Sequence, residues 1–110
     1  MSRYTKFYFI ALALFSVNAY AESTVFQDLE QVYVDGSGTP AHYYFVNLGS
    51  GWGAAGCPTA HSAYIAETAT GAKAMLSLAL IAQSTGRLVK FKGTCDSSGS
   101  YIQVNHIILK

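Results

Sequence analysis

Charge is what this sequence has least of. Seven Lys and Arg and six Asp and Glu make up 12% of its 110 residues, about half the usual share of a small globular protein. With a formal net charge of +1, it has no basic patch for nucleic acid and no acidic tail. Long apolar runs are also missing: Phe7 to Val17 is uncharged but only 11 residues long, and a spanning helix needs about 20. Cysteine is limited to Cys57 and Cys95. The three histidines, His42, His61 and His106, have no second ligand at metal-site spacing. No nucleophile elbow and no evident carboxylate pair is present. These gaps point away from an enzyme, a metalloprotein and any cofactor.

The amino-terminal segment accounts for part of this pattern. Arg3 and Lys6 precede the apolar run, and Ala19-Tyr20-Ala21 closes it with the small-x-small pattern of a signal-peptidase site. Residues 1–21 are therefore expected to be a cleaved signal peptide, and 22–110 a single exported domain, periplasmic or extracellular. Cleavage removes Arg3 and Lys6, leaves five basic residues against six acidic ones, and moves the net charge to −1. No membrane span is expected after cleavage. In an oxidising compartment the two cysteines are expected to pair. Their 38-residue separation makes the bond worth about 4 kcal/mol on the loop-entropy account.

Periodicity gives the element order. Thr24 to Asp35, Ala41 to Leu48 and Ser62 to Glu67 alternate as strands, and the first two flank the turn sequence Asp35-Gly36-Ser37-Gly38-Thr39-Pro40. Ala72 to Ser84 reads as a helix, with Thr70 as its N-cap and Gly86 just past its end. Leu88 to Cys95 and Tyr101 to Leu109 complete the chain as strands. A bulge near Asn105-His106 is needed to put Ile102, Val104, Ile107 and Leu109 on one face. The fold class is mainly β with one helix, β-β-β-α-β-β, which is the order of a small OB-like barrel. Another α+β meander with the same order is the alternative. The run Gly51-Trp52-Gly53-Ala54-Ala55-Gly56 matches a dinucleotide fingerprint in letters only, because Cys57-Pro58 replaces the required helix. Its glycines are expected to let the backbone bring Cys57 to Cys95.

Two features suggest binding. The first is an inventory of aromatic rings and short polar side chains suited to stacking on sugar faces. Trp52, Tyr43, Tyr64, Ser98 and Tyr101 are the candidate ligand-binding residues. The second is the helix, which is apolar over most of its circumference: Met75, Leu78, Ala79 and Ala82 form one face, flanked by Leu76 and Leu80 on one side and by Ala74 and Ile81 on the other. Loops or another subunit must cover those flanks, which makes Leu76, Leu80 and Ile81 the candidate oligomer contacts. His106, near Ile107 and Ile108, is expected to be semi-buried.

The helix exit Ala82-Gln83-Ser84-Thr85-Gly86-Arg87-Leu88-Val89, the strand ending in Cys95 and the terminal Tyr101-Ile102-Gln103-Val104 strand form a pattern. Over about residues 72–110 it resembles the subtilase-cytotoxin B subunits and related pertussis-like toxin B subunits. The resemblance implies an OB barrel, a homo-oligomeric ring with helices toward its centre, and binding of cell-surface glycans. The expected function is a secreted or periplasmic non-catalytic binding module, with an envelope or cell-surface glycan as partner. The alternative is an envelope structural or interaction protein, or an inhibitor, that docks a protein partner through the helix flanks.

Overall fold

The computed structural model describes residues 22–110, so the expected signal peptide lies outside the described residues. The elements are β1 (Glu22–Ser23), β2 (Gln31–Asp35), β3 (His42–Val46), β4 (Ser62–Ala66), α1 (Ala72–Thr85), β5 (Val89–Cys95) and β6 (Tyr101–Leu109). They form one sheet in the order β1-β5-β6-β4-β3-β2, antiparallel except where β4 meets β6. Over the described residues the class is mainly β with one helix and one disulfide.

The strand expected over 24–35 is divided. Its first part continues β1 along β5: Glu22, just ahead of it, lies opposite Gly93, the Thr24 N–H donates to the Phe91 carbonyl, and Gln27 is bridged to Val89. Its second part changes partner and follows β3, from Gln31 opposite Val46 to Asp35 opposite His42. One stretch of chain thus serves both edges of the sheet, but the ladder does not close. Five expected strands become six, and the barrel applies only in the loose, partly open sense of an OB fold.

The register turns Tyr43, Phe45, Ala63, Ile65, Phe91, Ile102 and Val104 inward, where all are buried. Phe45 stacks on Phe91 at 5.2 Å between centroids, and Trp52 meets Phe91 edge-on at 4.9 Å. The expected bulge is present: Lys92 faces His106 while Gly93 faces Val104, so Asn105 is the extra residue. That single insertion returns Ile107 and Leu109 to the inner face.

Helix α1 starts one residue later than a Thr70 cap would require. Gly71, in the left-handed region at φ 79°, is the N-cap and contributes no side-chain bond. Gly86 at φ 70° ends the helix, its N–H donating to the Ala82 carbonyl. The buried stripe is Ala72, Met75, Ala79 and Ala82. Three alanines let the helix lie close to the sheet, which leaves longer flanking side chains out at the rim. Leu78, expected on the buried face, is 40% exposed. Leu80 and Ile81 are also exposed, whereas Leu76 is half-buried against the core. No helix among the described residues is long and apolar enough to cross a membrane.

The segment between β3 and β4 is organised by one buried side chain. The Asn47 amide donates to the Asp28 carbonyl at 2.8 Å, and its oxygen accepts from the Ser50 and Gly51 N–H groups at 3.0 and 3.1 Å. His61 Nδ1 donates to the Asn47 carbonyl at 2.9 Å. The glycine-rich run then doubles back, with Trp52 N–H on the Ala60 carbonyl and Cys57 N–H on the Ala54 carbonyl. Gly51 and Gly53 take φ of 75° and 70° to do so. Cys57 reaches Cys95 in a disulfide, as the glycine content suggested.

Candidate functional site

The outward face of the sheet carries the site. Cross-strand register aligns Tyr33, Tyr44 and Tyr64 in one row over β2, β3 and β4. Tyr33 and Tyr44 stack at 4.9 Å with an interplanar angle of 8°, and Tyr44 and Tyr64 follow at 5.8 Å and 25°. Tyr101 opens β6 opposite Ser62, one diagonal step from Tyr64. Its ring stands nearly perpendicular to Tyr64 at 6.0 Å and to Tyr44 at 6.3 Å. His42 borders the group, 5.9 Å from Tyr64 and 6.5 Å from Tyr44. Tyr33 and Tyr101 are exposed, and Tyr44 and Tyr64 are half-buried.

Tyr44, Tyr64, Tyr101 and Asp96 line an open cleft of about 310 Å³. Asp96 is held by its own turn. Its Oδ1 accepts from the Ser98 hydroxyl at 2.7 Å and from the Ser98 and Gly99 N–H groups at 3.1 Å each. The Asp96 N–H donates to the Tyr101 carbonyl at 3.0 Å. The preceding residue is Cys95, so the disulfide anchors the strand end from which this turn leaves. At the other end of the row, Asp35 accepts from the Ser37 N–H and hydroxyl at 2.9 and 2.6 Å.

Four groups of the site depart from their ordinary values. Partial burial first, then the charges of Tyr101 and Asp35, hold the Tyr33 phenol above its ordinary value. Burial and then Tyr33, Asp35, Tyr101 and Tyr64 do the same to Tyr44. For Tyr64 the causes are burial and then Asp96. The Ser37 hydrogen bonds hold Asp35 below the usual carboxylate value. No basic side chain lines the cleft. Lys90 and Lys110 instead sit over Phe26, 5.1 and 5.6 Å from its centroid.

A pH prediction follows from these directions. A phenol with a raised folded-state pKa gives its full stabilisation below the unfolded-state value, and loses it as pH rises through the folded-state value. Stability measured by urea denaturation is therefore expected to begin falling near pH 10.0, the ordinary phenol value. Absorbance at the tyrosinate band should show Tyr33, Tyr44 and Tyr64 ionising later than free tyrosine. A Tyr33→Phe, Tyr44→Phe, Tyr64→Phe triple variant that declines in the same way would refute the assignment.

The candidates from sequence divide into two groups. Tyr64 and Tyr101 come together in the cleft, and Ser98 braces Asp96 beside it. Trp52 and Tyr43 are corrections. Trp52 is fully buried and donates its indole N–H to the Phe45 carbonyl at 3.1 Å. Tyr43 is on the core side of β3. Neither ring is presented to a ligand. His106 is exposed rather than semi-buried, with Nδ1 2.6 Å from its neighbour's Asn105 Oδ1. Tyr33 and His42, neither of them among the candidates from sequence, join the rings. The β2–β3 register places Tyr33 opposite Tyr44, and alternation along β3 puts His42 on the same face. Among the described residues no group of three or more His, Cys, Asp and Glu is placed to hold a metal.

No protein-family model, curated protein or solved structure matches this chain. Nothing in these comparisons links the chain to toxin B subunits.

Proposed function

We propose that this protein is an exported, non-catalytic binding module whose tyrosine face takes a glycan. The observation that carries this is the outward row Tyr33-Tyr44-Tyr64 with Tyr101 at its end. Side chains of this size normally seek burial, and here four rings are gathered on one surface. Flat rings stack on the CH faces of sugars. Asp35, Asp96, Gln103 and Ser62 stand around them on the same face or in the adjoining turns, offering hydroxyl partners. The disulfide suits an oxidising compartment.

Glycan-array screening of the oxidised protein is the test. Binding to a defined sugar class is expected, with Tyr64→Ala and Tyr101→Ala each weakening it by about tenfold or more, on the scale of one lost stacking contact. Background signal across the array would overturn the proposal. A second reading has its own observation: Leu78, Leu80 and Ile81 are 40%, 48% and 50% exposed on one helix, which favours a protein contact there, either a ring of like copies or an envelope partner. Light scattering distinguishes a monomer from a ring.

A further inference from the structure

The cleft at the Tyr101 end of the row differs in character from the rest of the face. Along Tyr33 and Tyr44 the rings lie nearly parallel and stack on one another. At the cleft Tyr101 stands across Tyr64 at 89° and across Tyr44 at 68°, so ring faces and edges meet at a corner. Asp96 completes that corner. Its three hydrogen bonds all fall on Oδ1, which leaves Oδ2 without one among the described residues. An aromatic ring presents negative potential on its face, and three rings with one carboxylate and no basic side chain favour positive charge.

We propose that this cleft binds an organic ammonium group. The proposal rests on the tyrosine face being the ligand-binding surface, and adds the charge of what it binds. A volume of about 310 Å³ is at the small end of ligand sites and fits a single head group rather than an extended chain. A tetraalkylammonium offers no hydrogen-bond donors, so rings and a carboxylate can hold it without further polar partners. A protonated amine on a sugar has the same charge and can also donate to Oδ2. The shared chemistry is the alkylammonium, carried by either a choline-type head or an amino sugar.

The test is a titration at pH 6.5, where the glucosamine amine is protonated and a carboxylate is ionised, followed by the tyrosine ring resonances. It compares choline with its uncharged isostere 3,3-dimethylbutan-1-ol, and glucosamine with N-acetylglucosamine. The cationic member of at least one pair is expected to bind about tenfold more tightly than its neutral partner, with shifts at Tyr44, Tyr64 and Tyr101. Which pair shows it identifies the source of the ammonium. Asp96→Asn keeps an oxygen for the Ser98 and Gly99 donors, and is expected to weaken the cation about tenfold and the neutral partner by much less, with the melting temperature unchanged. Equal binding within both pairs, or an Asp96→Asn variant that binds the cation as the parent does, overturns the ammonium proposal and leaves the glycan reading standing. Choline binding with no sugar bound supports the ammonium and removes the glycan. No binding by any of the four overturns the proposal.

Discussion

Gly93→Ala is expected to be the most damaging single substitution in this domain, costing about 3–5 kcal/mol. A Cβ built on Gly93 would lie 1.9 Å from the Gln103 carbonyl oxygen, and 2.7 Å from both the Gln103 carbonyl carbon and the Val104 Cα. All three are backbone atoms of the neighbouring strand, so no rotamer change relieves the overlap. Interiors are too closely packed to absorb it elsewhere. The strands must separate at the bulge where Lys92 and Gly93 change register against β6. That same bulge sets the phase that buries Ile102 and Val104 on one side of it and Ile107 and Leu109 on the other. Stability of a domain this size is about 5–15 kcal/mol, so the loss is a large part of the whole. Urea denaturation followed by the fluorescence of buried Trp52 measures it. Gly36→Ala is the control, since its Cβ meets nothing within 4 Å. A Gly93→Ala variant as stable as that control would refute the close-approach explanation.

Removing the disulfide, as Cys57→Ala with Cys95→Ala, is expected to cost about 4 kcal/mol and lower Tm by about 20 °C. The bond closes a 38-residue separation, so its loss frees a large part of the unfolded chain. The glycine-rich segment keeps other attachments: Trp52 packed on Phe91, the Asn47 hydrogen bonds, and Gly56 N–H on the Glu22 carboxylate at 2.9 Å. The variant should therefore fold at low temperature with the sheet intact, and calorimetry should show the full drop in Tm. An unchanged Tm would mean that these contacts alone hold the segment. Because Asp96 follows Cys95, ligand binding is expected to weaken as well, through a looser turn around the carboxylate.

The parts of the structure governed by local rules were legible beforehand. Alternation placed β3 to β6, the bulge at Asn105 was required by the phase of four apolar residues, and Gly86 marked the end of the helix. The break in the first strand was not legible. Residues 24–35 alternate continuously enough to suggest one strand, and the change of partner depends on β5, which lies more than sixty residues along the chain from the segment it pairs. The helix cap differs for a smaller reason: Thr70 has the right chemistry, but Gly71 takes the left-handed conformation and becomes the N-cap, so the helix begins at Ala72.

The candidate site shows the same division. Tyr43 and Tyr44 are adjacent and chemically identical, and alternation says only that they face opposite ways. Which one is buried depends on the side on which α1 and the Trp52 segment pack. Trp52 looked exposed because it sits among glycines, yet those glycines fold it inward, where its N–H finds the Phe45 carbonyl. By itself, the sequence determined a mainly β class, a single helix, a cysteine pair close enough in chain to staple, and a shortage of charge. Those properties follow from residue type and spacing. Only the tertiary structure decided that Tyr33, Tyr44, Tyr64, Tyr101 and Asp96 share one surface, because cross-strand register and the packed side of a sheet are set by distant partners.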